Sequence, residues 1–345
     1  RMGELARARS LEEEVAEEAR ARGDELYYAQ VCWGLCTVEW YDGRWEAALG
    51  RAKAAVEAGE HWRERHLACL AGRIMALVEA DLGLVEEARA TAERGVAIAR
   101  ELSDDYPEIL ALGVLGRIEL MLGDPARAAA MLRGLPERLL GLGVVDPTPT
   151  VWADTIEALV AVGDGDSVAP LLDAWSDRAS AISSPVALAM AGRCRGLLAA
   201  AHGQLSSANT EFEASLAALE GFTYPGERAR TLMCQGVALR QANQRSAARE
   251  SLEGAVAIFD ALGGMLWAER ARTELTRISG RRPASDALTD TERQVATHAA
   301  QGQSNKEIAA SLHMGVSTVE SHLSSIYRKL DVKRAQLAAA LNEAQ

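Results

Sequence analysis

Residues 116–132 read GRIELMLGDPARAAAML, and four of them set a pattern that the chain repeats. Gly123 is the punctuation, because glycine accepts the left-handed backbone that ends a helix and so marks a turn between two helices. Gly116, seven residues earlier, and Ala128, five residues later, are small enough to let two helices approach closely. Leu132, nine residues after the turn, supplies bulk.

The same punctuation recurs every 40 residues. Gly43, Gly83, Gly163 and Gly203 share the place of Gly123, Asn243 takes the next and Gly3 the one before. Seven residues before the turns stand Cys36, Ala76, Gly116, Ile156, Gly196 and Gly236. Five after them stand Ala8, Ala48, Ala88, Ala128, Val168, Ala208 and Ala248. The ninth place holds Leu132, Leu172, Phe212 and Leu252 in the later repeats, and Ala52 and Ala92 in the earlier ones. A fixed period of this size belongs to architectures in which each unit buries its apolar face against its neighbours. The spacing of 12 between the two small positions resembles that of tetratricopeptide repeats, here stretched to 40 residues. The expected fold class is all-α, with a tetratricopeptide-like helical-repeat solenoid over residues 1–278 as the signal-sensing domain. Only Arg1 and Met2 precede Gly3, so the helix that should pair with residues 4–22 is missing. The expectation is that the chain is the C-terminal portion of something longer.

Composition agrees with helices. Apolar residues make up 48% and aromatic ones only 5%, with alanine, leucine, glutamate and arginine dominant, which is helical rather than strand vocabulary. No stretch approaches the ~18 consecutive apolar residues of a membrane span, and no basic start leads into an apolar signal segment. A cytoplasmic protein without a membrane partner is expected. The five cysteines form no C-x-x-C pair, which argues against a disulfide framework or a zinc site. Cys32 and Cys36 share a helical face and read as buried apolar groups. The acids from Glu12 to Glu18 read as a solvated face, and His61 and His66 lack a neighbouring nucleophile or third ligand. Nothing matches the phosphate-binding G-x-x-x-x-G-K-[ST]. No catalytic residue, metal site or cofactor is expected in this chain. Its net charge of −12 is uneven: residues 281–345 carry eight basic and seven acidic side chains, so the acidity belongs to the repeats. Any DNA contact must lie in the tail.

The repeats end in SGRRPASDA, residues 279–287, where Pro283 blocks helix continuation and turn formers make a linker. Residues 288–345 then form a separate module. Leu288, Thr289 and Glu292 give a capped helix start with its hydrophobic staple, and the helix runs to about Gln301. Gly302 ends it, and Ser304 or Asn305 caps a second helix striped by Ile308, Ala309 and Leu312. After a turn from His313 to Val316, a third helix reaches Leu330 with Val319, Leu323, Ile326 and Leu330 inward. Two helices joined by a tight turn, with small inward side chains, are helix-turn-helix chemistry, in which the second helix enters the DNA major groove.

These residues resemble a family. The runs LT-x-x-E-x-x-V, A-x-G-x-SNKEIA-x-x-L and TV-x-x-HL-x-x-I-x-x-KL-x-V-x-R, between Leu288 and Arg334, are similar to the C-terminal DNA-binding domain of LuxR-family transcription regulators. The resemblance implies promoter DNA as partner, activation of transcription with RNA polymerase, and a homodimer. By position it places Ser317, Thr318, Glu320, Ser321, His322 and Ser324 in the groove, with Lys306, Arg328 and Lys329 available to phosphates. Side chains at base edges carry sequence information, while cations and hydroxyls on the backbone fix register. Gly315 stands where the family often has a serine cap, and Glu320 where it often has a lysine. Glutamate accepts from cytosine N4 but repels phosphate, so Glu320 is either a specificity reader or simply tolerated. Family members pair through the last helix, here about residues 334–342. Leu337, Ala338 and Leu341 form a narrow stripe there, suited either to a two-fold interface or to the module's own core. A helical array ahead of such a domain resembles the large ATP-binding LuxR-type regulators, in which a nucleotide-binding module precedes the repeats. That resemblance implies an ATPase module before residue 1.

In tetratricopeptide-like arrays the first helix of each pair lines the concave surface. Positions ten, six and three before each turn bring Trp33, Thr37, Trp40, Arg73, Arg117, Glu157 and Arg193 to that surface, with Arg230 and Arg240 near the end. Such a groove suits an anionic or aromatic small molecule, or a regulatory protein segment. The competing reading is that the tryptophans pack between helices and the arginines are solvated.

Overall fold

A computed structural model of the chain describes residues 2–144, 146, 148–278, 288, 290–312, 314–330, 332 and 336–337. The linker expected over residues 279–287 lies outside them. The chain divides into two compact units, Arg1–Ile278 and Ser279–Gln345, and no strand occurs among the described residues.

The first unit opens with α1 (Met2–Arg22) and continues in antiparallel pairs. These are α2 (Glu25–Tyr41) with α3 (Trp45–His61), α4 (Arg65–Asp81) with α5 (Val85–Leu102), and α6 (Asp105–Leu122) with α7 (Pro125–Leu132). A short α8 (Leu135–Gly141) interrupts the series. Then come α9 (Val151–Ala161) with α10 (Gly165–Ala181), α11 (Pro185–Ala201) with α12 (Leu205–Ala218), and α13 (Pro225–Gln241) with α14 (Arg245–Leu262). α15 (Met265–Ile278) closes the unit.

Each turn inside a pair sits on the residue the period marks. Gly43, Gly83, Gly123, Gly163, Gly203 and Asn243 all have φ between +62° and +85°. Gly3 does not follow, because it lies within α1 and no turn forms there. The turns between pairs form a second left-handed series at Gly23, Arg63, Ser103, Gly143, Ser183 and Gly263, so the chain breaks every 20 residues through most of the array.

The small and bulky places meet directly. A Cβ added at Gly116 would stand 2.3 Å from Cγ of Leu132; at Gly196, 2.6 Å from Cε1 of Phe212; and at Gly236, 2.6 Å from Cγ of Leu252. The side chain nine residues after each of these turns therefore lies over the bare backbone seven residues before it. Ala48, Ala88, Ala128, Ala208 and Ala248 are all fully buried beside this contact.

The array also closes on itself. α15 packs against α4 and α6 as well as α13 and α14. Trp267 of α15 donates from Nε1 to Asp81 at the end of α4 over 3.1 Å, across 186 residues of chain, and Arg270 donates to the carbonyl of Leu120 at 2.6 Å. The turns at Gly43 and Gly83 abut Pro225, Leu262 and Leu266. The inner helices of the early pairs thus acquire a cover from the late ones.

The second unit is small: α16 (Asp290–Ala300), α17 (Asn305–Ser311) and α18 (Val316–Leu330) surround one cluster that includes Val295, Ile308, Val319, Leu323 and Ile326.

Candidate functional site

Gly302, with φ of +86°, turns the chain out of α16, and Ser304 caps α17. Its hydroxyl accepts from the amide of Glu307, whose carboxylate accepts in return from the amide of Ser304 at 2.7 Å. Hydrogen bonding of the Glu307 carboxyl to the backbone amide, and also to the side chain, of Ser304 holds it below its usual range. Ile308 and Ala309 then face inward. The carbonyl of Gly315 accepts from the amides of Thr318 and Val319 at 3.0 and 3.1 Å, which starts α18.

Along α18 the inward residues Val319, Leu323 and Ile326 are spaced by four and three and are buried, one apolar stripe of a 3.6-residue helix. Thr318 and Glu320 lie on the exposed side, and Lys306 of α17 is exposed as well. His322 is half-buried. The side chains of Ser317, Ser321, Ser324, Arg328 and Lys329 lie outside the described residues, as does Thr289. Leu337 is fully buried in the module's own cluster. It cannot offer its side chain to a second subunit, and of the expected dimer stripe Ala338 and Leu341 lie outside the described residues.

Several of the residues expected to line an open groove in the repeats are instead sealed, while Thr37 and Arg240 are half-buried. Arg117, Glu157, Arg193 and Trp40 are all buried, and Trp33 and Arg73 are half-buried. For the buried ones the physical reason is the closure by α13 and α15, which covers the inner ends of the earlier helices. The charges are retained because they are paired. Arg117 bridges Asp81 at 2.8 Å and Asp154 at 3.4 Å; Arg230 bridges Asp154 at 2.8 Å and Glu157 at 2.6 Å; Arg193 bridges Glu157 at 2.7 Å and Glu227 at 3.0 Å. Trp40 and Trp267 donate to the two oxygens of Asp81, and the guanidiniums of Arg117, Arg230 and Arg270 lie 4.9–5.5 Å from the Trp267 ring centroid. Burial by itself would raise the Glu157 carboxyl, but Arg230, Arg193 and Arg270 bring it down to about 2. Burial likewise opposes the charge on Arg193 and Arg230, yet the surrounding carboxylates hold both above their ordinary value.

Two spaces border this network. One, of about 20 Å³, lies among Trp40, Asp81, Arg117, Glu227, Arg230 and Trp267, enough for about one water. The other measures about 600 Å³ and is walled by α6, α9, α11, α13 and α15; of the nine expected groove residues only Glu157 reaches it. Asp81, Asp154, Glu227, Trp267 and Arg270 were not legible as site residues. Asp81 reads as an ordinary helix-end acid two residues before Gly83, and the one available signal for α15 is a tryptophan set among charged residues. All five thiols are buried; burial pushes Cys36 and Cys194 up to about 12 and Cys69 and Cys234 up to about 11, which leaves them poor nucleophiles.

Residues 286–341 match the family described as bacterial regulatory proteins, luxR family. Among curated proteins, YhjB of Escherichia coli (strain K12), provisionally described as an HTH-type transcriptional regulator, is 46% identical over 57 residues. That stretch is 16% of this chain and 28% of YhjB. A solved structure of a Rap protein complexed with competence and sporulation factor superposes with a TM-score of 0.52 over 81% of this chain and 71% of its own. At 14% identity it shares the fold of the repeats. No helix of the described residues is long and apolar enough to cross a membrane.

Proposed function

We propose that this chain, whose C-terminal module is a LuxR-family helix-turn-helix, is a transcription regulator that binds promoter DNA as a dimer and whose repeat domain receives the controlling signal. The match over residues 286–341 carries the reading, and the stripe on α18, which leaves Thr318 and Glu320 outward, agrees with it. In this reading Ser317, Thr318, Glu320, Ser321, His322 and Ser324 face the groove, while Lys306, Arg328 and Lys329 meet phosphates. Ala338 and Leu341 remain the proposed dimer contacts. Activation through RNA polymerase, in the cytoplasm and without a catalytic step in this chain, completes the proposal.

Selection of binding sites from random duplexes with the full chain, followed by gel shifts, tests it. Thr318→Ala and His322→Ala are expected to weaken the preferred site by about 1–3 kcal/mol each and to relax the preference at one position. Lys306→Ala is expected to weaken all duplexes alike and to reduce the salt slope by about 1. No sequence preference from a dimeric wild-type chain sinks the reading.

For the signal, the 600 Å³ cavity favours a small molecule. A second reading, a protein or peptide signal, draws on the Rap neighbour, which was solved with competence and sporulation factor.

A further inference from the structure

The cavity of about 600 Å³ has a chemistry that selects among small molecules. Leu120, Met121, Leu197, Met233 and Val237 give it an apolar wall. Its charges are Glu157, Glu269, Arg270, Glu274 and Arg277, and they are not equivalent. Glu157 is neutralised by Arg193 and Arg230. Glu274 is neutralised by Arg240, at 3.0 Å, and by Arg277. Glu269 is exposed, in water at the rim.

Arg270 is different. It is half-buried, one of its nitrogens donates to the carbonyl of Leu120 at 2.6 Å, and its guanidinium lies 5.2 Å from the Trp267 ring centroid. Among the described residues no carboxylate stands within ion-pair distance of it. A guanidinium has five donors, so most of its capacity is open, and its fork suits a carboxylate.

We infer that this cavity binds a small amphipathic monocarboxylate, its carboxylate on Arg270 and its apolar body against Leu120, Met121, Leu197, Met233 and Val237. A neutral ligand leaves the open donors of Arg270 without a charged acceptor beside an apolar wall. A cation meets Arg270 directly, and a dianion sets its second charge against Glu157 or Glu269. The cavity lies within the usual range for small-molecule sites, which are mostly apolar with a few placed polar groups. Six of its lining residues, from Leu266 to Arg277, belong to α15, the last helix before the DNA-binding unit in sequence. The inference rests on the reading of the repeats as a receiver of small molecules.

Calorimetry of the full chain with octanoate and 4-phenylbutyrate, beside 1-octanol and octylamine, tests it. The carboxylates are expected to bind at least about tenfold more tightly than the alcohol and the amine, a gap of about 1.4 kcal/mol. Arg270→Gln keeps a donor for Leu120 and should abolish that preference, while Arg270→Lys should keep part of it. Val237→Trp fills the cavity from α13 and should abolish binding of every probe with the helical circular dichroism unchanged. An alcohol or amine that binds as tightly as the acid overturns the inference. So does equal carboxylate binding by wild type and Arg270→Gln, or no heat from any probe up to about 1 mM, a threshold near 4 kcal/mol of affinity. Octanoate that binds by these criteria yet leaves the affinity for the selected DNA unchanged upholds the cavity and defeats the signalling role. Sequence-specific DNA binding with no probe bound defeats the cavity alone.

Discussion

Arg230 touches three things at once: the carboxylates of Asp154 and Glu157 and the face of Trp267. Removing its charge leaves Asp154 only the longer contact to Arg117 and Glu157 only Arg193, and breaking buried pairs in this way costs about 3–5 kcal/mol. Arg230→Met is therefore expected to lower the unfolding free energy by that amount, measured by urea denaturation. An unchanged midpoint refutes the pairing. The arginines were legible as inner-face residues but not as buried ones. The spacing of Arg117 and Arg193 from Gly123 and Gly203 is the same whether that face is open or covered, and the cover comes from α15, some 70 to 160 residues further along. In the closing module the reverse holds. Val319, Leu323 and Ile326 were legible because their burial follows from the period of their own helix, whereas the choice of Leu337 between its own core and a partner depends on packing.

At the scale of the helix pair, glycine has opposite meanings at two places. Gly50 in α3 has open space where a Cβ would go, so Gly50→Ala should stabilise by about 0.5–1 kcal/mol through backbone entropy. Gly196 in α11 has the buried Phe212 ring 2.6 Å from the same point. Gly196→Ala should therefore destabilise by about 1–3 kcal/mol, the usual cost of overpacking. Thermal melts of the two variants should move in opposite directions, and a shared sign refutes the account. The period of 40 was legible because glycine or asparagine announces each turn inside a pair. The intervening turns were not, because Arg63, Ser103 and Ser183 take the left-handed conformation without being residues that advertise it. All three are exposed, and the helices they join hold their backbone there, at about 1–3 kcal/mol each.

Across the whole repeat domain, acidity should act through Glu157. Its folded-state value of about 2 lies below the unfolded 4.5, so the stability it confers is complete above about pH 4.5 and is lost as pH falls toward 2. The loss is on the order of 3 kcal/mol. Urea midpoints should drop between pH 5 and pH 3, and the drop should shrink in Glu157→Gln. A flat profile refutes the assignment.

Most helical arrays can lengthen or shorten by one unit, because each unit touches only its neighbours. Here Trp267 reaches Asp81 and Arg270 reaches Leu120, so the circumference is set by a particular number of staves, as in a cask. Adding or deleting a 40-residue unit would misalign the seam, and evolutionary tinkering with this domain is confined to the side chains and loops between its staves.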